Sequence, residues 1–183
     1  MPRKPTTSRE AMIKAAFDLI RDEGHEALTV RALAARLGCS TQPIMYQFPS
    51  LSQLKELVYQ QADAFHTEYI LAGGDILGIG LRYIQFAAEE PKLFRFLFQS
   101  GHFDGASLSD LIMAPVIEPL LATVGPITGG DPAAAAQTFE ALYVAVHGYA
   151  SLIANNAMPY DQEQVQRTLV AIGEGLQRIE ESS

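Results

Sequence analysis

The sequence LTVRALAARLGCSTQPIMYQF, residues 28–48, predicts two short helices joined by a tight turn. Thr29 is suited to cap the first helix, which carries apolar residues at helical spacing, and Gly38 is suited to end it. Ser40 is suited to cap the second helix, in which Ile44 faces inward. Because so few residues separate the two helices, the pattern is that of a helix-turn-helix.

Longer helices are predicted on both sides of this pair. Before it, Thr7 and Glu10 fit the two ends of a capping box, and Gly24 follows the last apolar position. After it, residues 50–53 (Ser-Leu-Ser-Gln) fit a second capping box. This box begins a fourth helix that runs to about Leu71 and links the first three helices to the rest of the chain.

Beyond the paired glycines Gly73 and Gly74, the apolar residues keep helical spacing. The predicted helices there are Ile76–Glu89, Pro91–Gln99, the proline-interrupted Leu108–Val124, Pro132–Asn156 and Asp161–Glu181. No segment alternates with the period of a strand, so the fold class is all-α. We expect a three-helix helix-turn-helix domain at residues 1–52, including the start of the fourth helix. A helical ligand-binding and dimerisation domain is expected at residues 53–183.

The composition restricts the class of protein. With 48% hydrophobic and 19% charged residues, the chain is able to build a packed core. No apolar run is long enough for a membrane span, and the first residues lack the apolar segment of a secretory signal. We therefore expect a cytoplasmic protein without a membrane partner. The single cysteine, Cys39, permits no internal disulfide and is expected to be a small buried residue.

The charge distribution points to a nucleic-acid partner, although the whole chain carries a net charge of −8. Residues 1–55 contain eight Lys and Arg residues and five acidic residues, whereas the remainder is strongly acidic. A basic end on an acidic body attracts phosphate at one pole and repels it at the other. Arg3 and Lys4 are expected to add phosphate contacts as an N-terminal arm.

The exposed side of the third helix is expected to meet base edges and phosphates, because a recognition helix enters the major groove with its N-terminal turns. These residues are Ser40, Thr41, Gln42, Pro43, Tyr46 and Gln47. They carry no charge, whereas an ordinary solvated helix is rich in Glu and Lys. The amides suit adenine edges, the proline ring a thymine methyl and the hydroxyls phosphate oxygens. The alternative is a solvated face of another three-helix bundle.

The segments LTVRALA (28–34), LGCS (37–40) and YQFPS (46–50) together resemble the TetR family of regulators. The resemblance implies a dimeric, ligand-responsive DNA-binding protein. It adds Thr29, Arg31, Met45 and Lys55 to the expected DNA contacts. Met45 stands where the family usually has Tyr. Lys55 lies one turn beyond Leu51, where the family usually has a basic residue, and is expected to replace it.

The second half resembles one branch of the same family, which carries a His-Gly pair, through YIQFA (83–87), PKLFRFLF (91–98) and AVHGYA (145–150). Aromatic and soft residues are abundant there, and they suit an apolar or aromatic small-molecule ligand. The expected ligand-binding residues are Phe86, Phe94, Phe98, Phe103, Met113, Phe139, Tyr143 and His147. The alternative is that they only fill the core. A larger residue at Gly148, beside the histidine, is expected to fill the pocket.

His147 lies on an otherwise apolar helix, where an imidazole is costly unless it is hydrogen-bonded. We expect a hydrogen-bonded core or pocket histidine and not a metal ligand, since no other histidine lies at metal-binding spacing from it. The last two predicted helices are expected to pair with their copies in a four-helix bundle. The small and apolar residues that favour this are Ala134, Ala135, Leu142, Leu169, Ile172, Gly173, Leu176 and Ile179.

These features predict a repressor that a small apolar or aromatic ligand releases from a palindromic operator on double-stranded DNA. Two alternatives remain open: a constitutive dimeric DNA-binding protein without a ligand, and a small helical enzyme. The sequence has no Gly-rich phosphate loop and no nucleophile elbow, which argues against the enzyme. No cofactor or metal is expected.

Overall fold

A computed structural model describes residues 8–101, Val124, Thr128 and residues 132–181. Within these residues all regular structure is helical, which confirms the all-α prediction. The helices are α1 (Arg9–Glu23), α2 (Val30–Leu37), α3 (Thr41–Gln47), α4 (Leu51–Leu71), α5 (Ile76–Glu89), α6 (Pro91–Gln99), α7 (Pro132–Ala154) and α8 (Gln162–Glu181), with a short 3₁₀ turn at His25–Ala27. The helix predicted at Leu108–Val124 lies outside the described residues except for Val124. None of the described helices is long and apolar enough to span a membrane.

The start of α1 corrects one prediction. Ser8, and not Thr7, occupies the cap position, and its hydroxyl oxygen accepts a hydrogen bond from the Ala11 amide at 3.1 Å. Ser8 directly precedes Arg9 and has the extended backbone of an N-cap residue, with φ of −69° and ψ of 161°. The Glu10 carboxylate bonds to its own backbone amide and to the Ser8 hydroxyl, and these bonds lower the pKa of Glu10.

The other predicted caps of the first four helices lie where the sequence places them. The Thr29 hydroxyl accepts from the Ala32 amide, and the Ser50 hydroxyl accepts from the Gln53 amide, both at 3.1 Å. Gly38 ends α2 in the left-handed conformation, with φ of 63°, which a residue without a side chain adopts at little cost. Ser40 is the N-cap of α3, but its side chain makes no capping hydrogen bond.

The described residues pack into two compact units. The first contains residues 8–66 and 92–101, and the second contains residues 67–91 together with the described residues from 124 onward. The first unit therefore holds α1–α3, most of α4 and nearly all of α6. These units are defined by which residues pack together, and each is built from separate stretches of the chain. The division expected at residue 52 is of another kind, since it separates DNA binding from ligand binding along the sequence.

Helix α6 completes the core of the first unit. The Phe96 ring lies 6.0 Å from the His25 ring and 5.9 Å from the Tyr59 ring, measured between centroids. The Tyr59 hydroxyl donates to the Leu97 carbonyl at 3.4 Å, and the Lys92 ammonium donates to the Asp22 carbonyl near the end of α1. Leu93, Phe94, Phe96 and Leu97 are all buried.

In the second unit, α5 packs against α7 and α8. Gly80 allows this close approach, because an added Cβ would lie 3.3 Å from a Val146 methyl group and 3.5 Å from a Leu169 methyl group. The last turn of α4 is held to α5 through Tyr69. Its hydroxyl donates to the Glu89 carboxylate at 2.8 Å, and the Arg82 guanidinium stacks on its ring at 4.3 Å. Burial and the Glu89 carboxylate raise the pKa of Tyr69 to about 12.

Stability is expected to fall in mild acid because of His66 on α4. Burial lowers the pKa of His66 to about 4, whereas an unfolded histidine titrates at 6.5. At a pH between these two pKa values, His66 is protonated in the unfolded chain and neutral in the folded protein. The free energy of unfolding should therefore be about 2 kcal/mol lower at pH 5 than at pH 7.5.

Urea unfolding at the two pH values measures this difference. The variant His66→Leu keeps an apolar side chain against the Phe98 ring, which lies 5.2 Å from the imidazole. It should lose most of the pH dependence. An equally steep dependence in His66→Leu would show that another group is responsible.

Candidate nucleic-acid interface and ring cluster

Helix α3 presents an uncharged polar and apolar surface to solvent. Ile44 and Phe48 anchor the helix and are 1% and 4% exposed, whereas Met45 is 64% and Tyr46 86% exposed. Ser40, Gln42, Pro43 and Gln47 are also exposed, and Thr41 is half-buried. A large exposed tyrosine and methionine on a helix of only seven residues are poorly explained by folding alone. We call these seven residues, from Ser40 to Gln47 without Ile44, the reading face.

Two cations lie on the helices that precede and follow α3 in the chain. Arg31 in the first turn of α2 is exposed, and Lys55 in the second turn of α4 is half-buried. In the part of the chain that the structure describes, neither forms a salt bridge, and the same holds for Arg9. Elsewhere in the first unit, Lys14 pairs with Asp18 at 2.7 Å and Arg36 pairs with Asp22.

The other residues expected to bind nucleic acid differ in their placement. Thr29 is exposed, and its hydroxyl oxygen accepts the hydrogen bond from the Ala32 amide that caps α2. The hydroxyl proton can still be donated to a phosphate oxygen. Arg3 and Lys4 lie outside the described residues. Cys39, in the turn between α2 and α3, is half-buried, and its backbone amide bonds to the Ala34 carbonyl.

Four rings form a cluster between α5 and α7 in the second unit. Phe139, Tyr143 and His147 follow one another on α7, with centroid distances of 6.2 Å and 5.6 Å and nearly parallel planes. Tyr83 on α5 meets Tyr143 edge to face at 6.2 Å. Its hydroxyl lies 2.9 Å from Nδ1 of His147. We call Tyr83, Phe139, Tyr143 and His147 the ring cluster.

The ring cluster is electrically neutral near pH 7. Burial lowers the pKa of His147, and burial raises the pKa of Tyr143. The Tyr83 hydroxyl and Nδ1 of the neutral His147 ring share one hydrogen bond, and the tautomer of the ring determines which of the two donates. The hydrogen bond to Tyr83 confirms that His147 is satisfied by a neighbour. Among the described residues, no group of three His, Cys, Asp or Glu side chains is placed to hold a metal ion.

The remaining residues expected to bind a ligand are distributed over both units. Phe86 is fully buried in the second unit, with its ring 5.4 Å from that of Tyr69. Phe94 and Phe98 belong to the first unit and lie 4.9 Å apart. Phe103 and Met113 lie outside the described residues.

Tyr83 belongs to the ring cluster but was not among the residues singled out in the sequence. It lies 64 residues from its partner His147, so no local pattern connects them. The available signal was a tyrosine at an inward position of α5, since a buried phenol usually needs a hydrogen-bond partner.

The structure overturns the expectation that a larger residue at Gly148 fills a pocket. Gly148 is exposed, and a Cβ added there meets no described atom within 4 Å. One residue further along a helix turns by about 100°, so Gly148 points away from the side that carries His147. It lies instead between Val144 and Leu152 on the outer face of α7, and these two side chains are 55% and 50% exposed.

Two family models match the chain. The model described as "Bacterial regulatory proteins, tetR family" matches residues 12–56, which include α2, α3 and the reading face. The model described as "Tetracyclin repressor-like, C-terminal domain" matches residues 76–172, which include the ring cluster. The second match alone covers more than half of the chain. No single curated protein gives a match.

Proposed function

This chain belongs to the TetR family of DNA-binding transcriptional regulators, and from that membership we propose that it is a repressor. It binds a pseudo-palindromic operator as a homodimer in the cytoplasm, and a small apolar or aromatic ligand releases it. Proteins of this family are regulators and not enzymes, so the helical-enzyme alternative has no support.

The observation that carries the proposal is the chemistry of the reading face and its surroundings. Uncharged amides, hydroxyls and apolar groups discriminate base edges, whereas cations bind phosphates without regard to sequence. Gln42, Pro43 and Gln47 supply the first kind of group, and Arg31 and Lys55 supply the second. A motif with base-reading groups on α3 and phosphate-binding cations on the flanking helices α2 and α4 is suited to read the major groove.

The direct test is selection of bound duplexes from a library with a randomised central region. A two-fold symmetric dimer should enrich an inverted repeat whose half-sites lie about 34–36 Å apart, or one duplex turn. Enrichment of a single, unrepeated site would contradict the dimeric mode. If no sequence is enriched over random DNA, the proposal of an operator fails.

Gln42 and Lys55 should make separable contributions to DNA binding. Gln42→Ala should lower affinity for the selected operator by about 1–3 kcal/mol and leave affinity for random duplexes nearly unchanged, because it removes a base contact. Lys55→Ala should weaken both about equally and reduce the slope of log K against log [salt] by about one unit per protomer. Titrations of both variants on both duplexes measure this, and equal effects of the two substitutions would refute the division of roles.

The dimer is proposed to form through α7 and α8, the last two helices. Val144, Gly148 and Leu152 form an uncovered stripe on α7, and Val170 on α8 is 39% exposed. Exposed aliphatic residues at spacings of four on long helices favour a four-helix bundle with a second copy. Of the residues that the sequence favoured for this interface, Ala135 and Leu169 are buried within the single chain.

The ligand is proposed to bind at the ring cluster. Aromatic faces there offer apolar contact, and the His147 and Tyr143 polar atoms are suited to orient one polar group of the ligand. A thermal-shift screen of metabolites is the test, because a compound that binds the native state raises the melting temperature. A true effector should also lower operator affinity. Stabilisation without any change in operator affinity would favour the constitutive DNA-binding alternative.

A further inference from the structure

Arg9, the first residue of α1, is held beside the end of the recognition helix. Its guanidinium carbon lies 5.1 Å from the centroid of the Phe48 ring. Phe48 is the residue at which α3 ends, and it is only 4% exposed, so the ring is a fixed platform. A guanidinium stacked on an aromatic face loses much of the freedom of a long side chain. The position of this charge is therefore coupled to the position of α3.

Arg9 forms no ion pair with any acidic side chain in the described part of the chain. The adjacent Glu10 carboxylate attracts Arg9 electrostatically, but this is the smallest of the effects on the pKa of Glu10, and the hydrogen bonds of that carboxylate go to its own backbone amide and the Ser8 hydroxyl. Stacking on a ring uses the flat face of the guanidinium and leaves its N–H groups at the edge available. Arg9 is half-buried, so this edge reaches solvent.

We propose that Arg9 is a phosphate anchor that binds the DNA backbone beside the C-terminal end of α3. This inference rests on the proposed DNA-binding function and adds a charged phosphate contact, which the uncharged reading-face residues cannot make. A helix seated in the major groove lies between two phosphate chains, and the preceding helices of the motif cross one of them. A guanidinium fixed at the edge of the groove presents paired N–H donors that match a phosphodiester. Phe48 positions this donor, and Arg9 makes the contact.

The first unit contains a matched control. Arg36 carries the same charge, but its guanidinium is committed to Asp22. If Arg9 acted only by adding to the general positive charge of the domain, removal of either charge would have the same effect. If Arg9 binds a phosphate directly, removal of Arg9, but not of Arg36, should reduce by one the number of counterions that the DNA releases when each protomer binds.

The experiment measures anisotropy of a fluorescent 30-base-pair duplex of arbitrary sequence, titrated with the full-length protein at several KCl concentrations. Such a duplex reports phosphate contacts and needs no known operator. Arg9→Gln should reduce the slope of log K against log [KCl] by about 0.9 per protomer, or about 1.8 for a dimer. The same relation gives a loss of about eightfold in affinity at 0.1 M KCl for each contact removed. Arg36→Gln should keep the wild-type slope.

Each outcome decides the proposal. A wild-type slope in Arg9→Gln, or an equal reduction in Arg36→Gln, would overturn it. If Arg9→Gln melts at a lower temperature than the wild type, the titrations of both proteins are repeated at a temperature at which the variant is fully folded: a reduced slope there supports the anchor, and a wild-type slope contradicts it. If the wild-type protein does not bind the duplex even at low salt, the proposed function itself fails, and this result is distinct from the others.

Discussion

Replacement of Gly148 by arginine is expected to convert the dimer into monomers and to lower operator affinity by about 100-fold or more, since binding of the two half-sites is then no longer linked. The added side chain would project between Val144 and Leu152 on the outer face of α7. Within one chain it meets no described atom within 4 Å, so the folded protomer should tolerate it. Against a second copy, however, it would bury an unpaired charge in an apolar interface.

Light scattering at micromolar concentration and operator titration together measure this effect. Ala64→Arg is the matched control, because Ala64 is an exposed helical position in α4, outside the proposed interface. It should remain dimeric and bind normally. A Gly148→Arg protein that stays dimeric would place the interface elsewhere than the outer face of α7.

Truncation of Phe96 to alanine is expected to destabilise the first unit by about 3–5 kcal/mol and to weaken DNA binding to the extent that the unit unfolds, although Phe96 lies far along the chain from the reading face. Its ring is 3% exposed and packs near the rings of His25 and Tyr59. Removal of the ring leaves a cavity between α6, the turn after α1, and α4. A domain stabilised by about 5–15 kcal/mol loses a large share of its stability to such a change.

Urea unfolding followed by circular dichroism measures the loss, and duplex titration measures the consequence. Gln99→Ala is the control on the same helix, because Gln99 is exposed. A Phe96→Ala protein that keeps both the wild-type urea midpoint and full operator affinity would show that α6 does not support the helix-turn-helix.

The helix boundaries were largely predictable because local signals specify them. Ile76–Glu89 and Pro91–Gln99 match the prediction at both ends, since the proline at position 91 separates them sharply. The start of α1 was misplaced by one residue because Thr7 and Ser8 are adjacent hydroxyls that compete for the same role. Local patterns rank such competitors poorly.

The partners of the helices could not be predicted, because periodicity reveals which face is apolar and not what covers it. Nothing in PKLFRFLF (91–98) indicates that Phe96 packs near His25. The direction of Gly148 depended in the same way on which side of α7 meets α5. The reading face was easier to identify, since its residues are consecutive and its lack of charge is visible in the sequence itself.

The discontinuity of the first unit has a consequence for how the protein is made on the ribosome. The Lys92 ammonium and the Asp22 carbonyl that it binds are 70 residues apart. Domains generally fold as units while the chain emerges from its N-terminus. Here α1–α4 emerge early with the surface for α6 still uncovered, so the unit is completed only after α5 has also been synthesised. A chimaera that joins residues 1–72 to another protein should therefore fold stably only if that protein supplies a segment that covers the surface normally covered by α6.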